Sequence, residues 1–207
     1  VVEVRRSRTV DVRAALLDAA AAVLERDGPA GLTVRSVAQQ ANVAPMGVYN
    51  HFDGMDGLQI AIIDAGFREL AEAISAVAIA DPVDRLYRLG HEYRNMAKAN
   101  PKRYGLMFGP EFAEKAAESK RSAFRALVEA IRYAQAAGVL RDDPAPVMAR
   151  NVWAGIHGGT VLEIQYVEPN GRLAKWNQVY DQLLLMILRG LSRDPDSIPP
   201  PRPRRSR

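Results

Sequence analysis

Leu32 to Leu58, LTVRSVAQQANVAPMGVYNHFDGMDGL, is the stretch on which the reading of this chain turns. Thr33 is a good helix N-cap, and Val34, Val37, Ala38 and Ala41 follow at helical spacing, which makes one face of a short helix apolar. Asn42 tolerates the left-handed backbone that a sharp turn needs, and Val43 fills the corner. Pro45 lacks the N–H that the first residue of a helix can do without, so a second helix starts there. Its outward side carries Pro45, Met46, Gly47, Tyr49, Asn50 and His51, while Val48 and Phe52 turn back into the domain. Two short helices around a tight turn have the geometry that lays a helix in a DNA major groove. Asn can bond adenine at two points, whereas Tyr and His reach phosphate oxygens without reading sequence. A surface turn of an ordinary helical domain is the plain alternative for so short a pair.

The residues upstream narrow the choice. An amphipathic helix with Ala19, Ala20 and Leu24 is followed by Gly28 in a Gly-rich break, then Leu32-Thr33-Val34 and Val37-Ala38. Ala41-x-Val43, Val48-Tyr49-x-x-Phe52 and Leu58 complete the series. In order and spacing this resembles the N-terminal domain of the tetracycline-repressor-like (TetR) family of bacterial transcription regulators, over about the first quarter of the chain. The resemblance implies that Thr33 and Arg35 touch the phosphate backbone, that Tyr49 and His51 clamp phosphates on either side of a groove, and that Met46, Gly47 and Asn50 face base edges. One position departs from the family pattern: Met55 stands where a phosphate-contacting Lys is usual, three residues after the Phe. Arg5, Arg6 and Arg8 form a basic arm over residues 1–8 that can follow the backbone or enter a minor groove.

At 207 residues, 48% hydrophobic and 25% charged, the chain can bury a substantial core. It has no Cys, which excludes disulfides and thiolate metal sites. The net charge of +4 is weak support for nucleic-acid binding, because most of the excess lies after Ser192, where five Arg face two Asp. No apolar run reaches membrane-spanning length and no signal-peptide pattern opens the chain, so a cytoplasmic protein without a membrane partner is expected.

Beyond Leu58 helix-start signals recur and strand-like alternation is almost absent, so the fold class is all-α. A long fourth helix is expected over residues 54–78, with Gly54, Gly57 and Gly66 as soft points, and Asp81-Pro82-Val83-Asp84 opens a fifth. Asn100-Pro101, Gly109-Pro110, Asp143-Pro144 and Pro169-Asn170-Gly171 punctuate four more, giving nine helices, the count of the TetR architecture. The expected division is a three-helix helix-turn-helix domain over residues 1–53, a helical ligand-binding and dimerisation domain over 54–191, and an unpacked Pro/Arg-rich tail over 192–207.

Tyr93, Met96, Tyr104, Met107, Phe108, Phe112, Phe124 and Trp153 lie on consecutive helices of the second half. Such a stripe suits a core as well as a pocket. His157, one helical turn from Trp153 and followed by Gly158, makes the pattern similar to a TetR subgroup named for its Trp-His-Gly signature. That resemblance implies a small-molecule effector site made by these nine side chains, and their rings and thioethers suit a largely apolar molecule. No metal or other cofactor is expected, since no His-x-x-x-His or Glu-x-x-His pattern occurs.

The ninth helix has a broad apolar face, with Val179, Leu183, Leu184 and Ile187, and the eighth offers Gly155, Gly158 and Gly159 for close approach. Packing within one chain would use the same features; the resemblance implies a homodimer through these last two helices. A double-stranded operator, a small-molecule effector and a second copy are thus the expected partners, and the expected function is a TetR-type regulator, a repressor released by its effector. An effector-independent architectural DNA-binding protein would need the same first domain and no cavity. No Gly-x-Ser-x-Gly, phosphate loop or cluster of His and acids suggests an enzyme.

Overall fold

The computed structural model describes residues 11–109, 116–165 and 176–200. Nine α-helices run through these residues, and the fold is all-α. The chain divides into two compact units, one of residues 1–66 and 102–116, the other of 67–101 and 117–207.

In the first unit, Asp11 caps α1 (Val12–Asp27) by accepting from the N–H groups of Arg13 and Ala14. Its apolar stripe, Leu16, Ala19, Ala20, Val23 and Leu24, is buried. Gly28 ends it at φ 78°, and a 3₁₀ turn, Pro29–Gly31, leads to Thr33. There Thr33 and Ser36 cap reciprocally: the Ser36 N–H donates to Thr33 Oγ1 at 3.1 Å and the Thr33 N–H to Ser36 Oγ at 3.0 Å. This starts α2 (Val34–Ala41), which Asn42 terminates in the left-handed conformation, φ 54° and ψ 45°.

Pro45 is the N-cap of α3 (Met46–Phe52), one residue before the expected start, and Asp53 and Gly54 both have positive φ where the chain turns again. Val37, Val48, Phe52, Leu58 and Ile62 close the core of this unit over α1. α4 (Met55–Ser75) begins here and continues into the second unit at Phe67.

The short α6 (Pro101–Met107) is held to α1 through Glu25, whose carboxylate accepts from the N–H groups of Lys102 at 3.3 Å and Arg103 at 2.7 Å. Met107 packs on α4 at Gly66, where an added Cβ would lie 2.5 Å from the Met107 sulfur. Gly66 thus permits close packing rather than serving as the soft point expected of it.

The second unit packs α5 (Pro82–Ala99), α7 (Ala117–Ala136), α8 (Ala145–Gln165) and α9 (Trp176–Leu191), with α5 touching the other three. Asp81 caps α5 through the Asp84 N–H at 2.8 Å, with Pro82 at the first helical position as its sequence suggests. Between α5, α8 and α9 lies a polar cluster that apolar periodicity does not reveal. Arg94 donates to Glu163 at 2.5 and 2.7 Å and to Asn177 at 2.9 Å, and Lys98 reaches the same carboxylate at 2.5 Å. Burial pushes the Glu163 carboxyl up, but the hydrogen bonds and charges of Arg94 and Lys98 outweigh it and hold the group below its ordinary value. Beside it Tyr180 donates to the Gly90 carbonyl at 3.0 Å, and burial pushes its hydroxyl up to about 12.

The expectation of an unpacked segment after Ser192 is corrected for residues 192–200. Ser192 pairs antiparallel with Leu140 in an isolated bridge, and the Arg193 N–H donates to the Val139 carbonyl at 3.0 Å. Ile198 is buried, and Arg189 donates to its carbonyl at 3.2 Å. Composition suggested a loose tail because it registers Pro and Arg, not the backbone groups of the loop after α7 that this segment satisfies. Residues 201–207 lie outside the described residues.

Candidate nucleic-acid interface and internal cavity

α3 owes its orientation to two side chains. Val48 and Phe52, one turn apart, are buried in the first unit, and the Arg13 guanidinium covers the Phe52 ring at 5.0 Å. The opposite face is therefore open: Met46 is 62% exposed and Tyr49 54%, and Pro45, Asn50 and His51 are exposed as well. Gly47 differs from its neighbours. It is half-buried, and a Cβ there would meet Val43 and Leu16 at 3.6 and 3.7 Å, so it faces the domain.

Thr33 and Arg35 are exposed at the start of α2. Met55, at the position of the usual Lys, is partly buried against the apolar core of this unit. Arg5, Arg6 and Arg8 lie outside the described residues.

The second unit contains a cavity with roughly 700 Å³ of empty space, counting its open mouth. Its wall is almost wholly aliphatic and aromatic, drawn from α4, α5, α7, α8 and α9, with Phe67, Leu89, Leu127 and Ile156 among the lining side chains. Of the nine expected ligand contacts, Tyr93, Phe124 and Trp153 line it, and the Phe124 and Trp153 rings meet at a tilt of 40° with 5.9 Å between centroids.

His157 stands behind Tyr93. The Trp153 indole N–H, which can only donate, reaches the Tyr93 hydroxyl at 3.3 Å, and that hydroxyl lies 3.0 Å from His157 Nδ1. Trp153, Tyr93 and His157 are thus linked through the Tyr93 hydroxyl. Burial, and after it the charge of Lys120, holds the His157 pKa below its ordinary value, in keeping with a neutral ring.

The other expected contacts are elsewhere. Met96 is half-buried on α5 outside the cavity wall. Tyr104, Met107 and Phe108 belong to the first unit, where the Tyr104 and Phe108 rings meet at 4.9 Å. Phe112 lies outside the described residues.

Most of the apolar lining, Phe67, Leu89, Leu127 and Ile156 included, escaped the sequence reading, and two further groups stand out. Leu184, Ile187 and Leu188 of α9 line the cavity, although their helix suggested only a face for dimerisation. Lys120 of α7 lines it too, its Nζ 5.7 Å from the Trp153 ring centroid; its spacing from Phe124 and Leu127, four and seven residues on, was a usable signal.

α8 and α9 also present an open apolar surface. Leu162 is 57% and Met186 66% exposed, Val179 is exposed, and nothing lies within 4 Å of a Cβ built on Gly158. Gly155 and Gly159 instead admit Ile187 and Leu183 of the same chain, whose side chains would lie 2.7 and 2.6 Å from added Cβ atoms. Among the described residues no helix is long and apolar enough to cross a membrane, and no cluster of His, Cys, Asp and Glu could hold a metal.

Comparison with known proteins agrees with this arrangement. Residues 16–62 match the model of bacterial regulatory proteins of the tetR family, and residues 86–186 match that of the tetracyclin repressor-like C-terminal domain. An uncharacterized HTH-type transcriptional regulator, YobS of Bacillus subtilis, is 26% identical over 90 residues, 43% of this chain. That match spans about half, 47%, of the relative's own length. Among solved structures, a protein of unknown function from Rhodococcus sp. RHA1 is 25% identical with a TM-score of 0.77, over 91% of this chain and 100% of its own. The TetR-family transcriptional regulator PfmR of Thermus thermophilus shares the fold at 22% identity and a TM-score of 0.63, over 86% and 99% of the two chains. With both halves of the family matched in order and an exposed α3 set on a buried Val48 and Phe52, the chain belongs to the TetR family of transcriptional regulators, with its DNA-binding domain at the N-terminus.

Proposed function

We propose that the protein is a cytoplasmic, non-enzymatic repressor that binds a pseudo-palindromic operator as a homodimer and is released by a largely apolar effector. The observation that carries this reading is the outward face of α3, Met46, Tyr49, Asn50 and His51, set on a buried Val48 and Phe52. In this assignment residues 1–53 make the DNA contacts and 54–191 serve ligand binding and dimerisation. Tyr49, His51, Thr33 and Arg35 hold phosphates, and Asn50 and Met46 meet base edges, while Gly47 lets α3 lie close to Val43 and Leu16. The second half is assigned to the Trp-His-Gly subgroup of the family on Trp153, His157 and Gly158.

The homodimer forms through Leu162, Val179, Met186 and the open Gly158, an apolar face that a second copy covers symmetrically. Release follows if the effector binds the state unable to hold DNA more tightly than the state that holds it, since equal affinity shifts nothing.

The experiment is selection of bound fragments from random DNA, followed by titration of two variants. An inverted repeat in the selected pool supports the dimeric reading. Tyr49→Ala weakens binding to all sequences alike, whereas Asn50→Ala relaxes preference at particular positions. Equal loss of sequence preference in both variants refutes these roles.

A further inference from the structure

We infer that the effector is an apolar carboxylate, whose hydrocarbon body fills the cavity of the second unit and whose anionic head is held beside Lys120. This rests on the reading of the cavity as an effector site and adds the chemical class of its occupant.

Three observations carry it. First, the wall is hydrocarbon and aromatic nearly throughout, and among the described residues no carboxylate side chain is part of it. An occupant with a cationic head would find no counter-charge there, and a very polar one would exchange its hydration for methyl groups. Second, among the described residues Lys120 is the one ionisable basic side chain of that wall. Its ammonium has no carboxylate partner among the described residues; it lies instead over the face of Trp153, itself a wall residue, at 5.7 Å. The neighbouring acid on α7, Glu118, is engaged by Arg121 at 2.8 Å and Arg125 at 3.0 Å. Third, the positive charge reaches the inner polar cluster, because Lys120 helps to lower the His157 pKa. An ammonium over an indole at the edge of an apolar space is a partner for an anion that arrives on a hydrocarbon body.

The test uses decanoate, decan-1-ol and decylamine, three probes with the same chain and anionic, neutral and cationic heads. The full chain contains two Trp, so in a Trp176→Phe background the emission of Trp153 reports from the cavity wall itself. Decanoate is expected to perturb that emission with an affinity on the order of tenfold higher than that of the alcohol, with the amine weakest. The preference for the acid should shrink as salt is raised. Lys120→Met should abolish the preference, and Lys120→Arg, which keeps the charge, should retain it.

If the alcohol binds as tightly as the acid, or Lys120→Met leaves the preference intact, the carboxylate assignment is overturned while the cavity stands as a ligand site. If none of the three probes alters Trp153 emission or thermal stability, both the assignment and the effector reading of the cavity fall. Selection of an operator remains an independent measure of the DNA-binding reading.

Discussion

Replacing Glu163 with Ala leaves the Arg94 guanidinium buried without its counter-ion. The Arg94 and Glu163 side chains are 3% and 6% exposed, so little water reaches either group, and Lys98, which is 45% exposed, can turn outward when its partner is lost. Arg94 cannot turn away so readily: it keeps its bond to Asn177 and lies over the Tyr180 ring at 4.9 Å. Breaking a buried pair from one side costs about 3–5 kcal/mol, which for a protein of this size lowers the midpoint of thermal unfolding by roughly 6–20 °C. The pair as a whole is worth much less, because its attraction is largely offset by removing two ions from water. Converting both residues to apolar ones, Arg94→Met with Glu163→Leu, should therefore recover most of the loss. Scanning calorimetry of wild type, single and double variants completes the cycle. A single variant that melts within about 2 °C of wild type, or a double variant that melts lower than the single, refutes the claim that an uncompensated charge is the cause.

The remaining predictions concern the turn, the imidazole and the open face. Asn42 sits at φ 54°, so Asn42→Ala should cost about 1 kcal/mol in urea unfolding and Asn42→Gly close to nothing. The pKa of His157 is depressed in the folded protein, so the unfolded chain takes up the proton first as acid is added. The stability it contributes is present above its unfolded pKa of about 6.5 and lost as pH falls below that value, and His157→Gln should make this decline shallower in urea midpoints compared at about pH 7.5 and about pH 5.5. Leu162→Glu with Met186→Glu places charge on the open face of α8 and α9, and sedimentation should then report single chains; a persistent dimer would move the interface elsewhere.

The turn was legible because each part of it rests on a local backbone requirement. Thr33 caps, Asn42 takes the left-handed conformation, and Val48 and Phe52 recur one turn apart, all within about twenty residues. The cavity was only partly legible because helical spacing says which face of a helix is apolar, not which core receives it. Tyr104, Met107 and Phe108 carry the same signal as Tyr93 and Trp153, yet the bonds from the Lys102 and Arg103 N–H groups to Glu25 and the close fit of Met107 on Gly66 place their short helix with α1. Nothing in the periodicity of α6 encodes that partnership. The Arg94–Glu163 pair was invisible for a related reason, since its residues lie 69 positions apart and charged side chains on helices are ordinarily solvated.

α9 joins the two proposed activities of the second unit physically. Leu184, Ile187 and Leu188 form part of the cavity wall, whereas Val179 and Met186 stand exposed on the same sixteen-residue helix. Gly155 and Gly159 bring α8 so close that Ile187 and Leu183 have no room to retreat toward it, and Gly90 does the same for Leu184 against α5, with 2.5 Å to an added Cβ. An occupant pressing on this wall therefore meets side chains already backed by helix, and the cheaper response is a small displacement of α9 as a body rather than rearrangement of single rotamers. In the proposed dimer such a displacement moves the face on which the second copy rests. The coupling needs no dedicated pathway of contacts. It needs only that the occupant favour one placement of α9 by about 1.4 kcal/mol for each tenfold change in operator affinity.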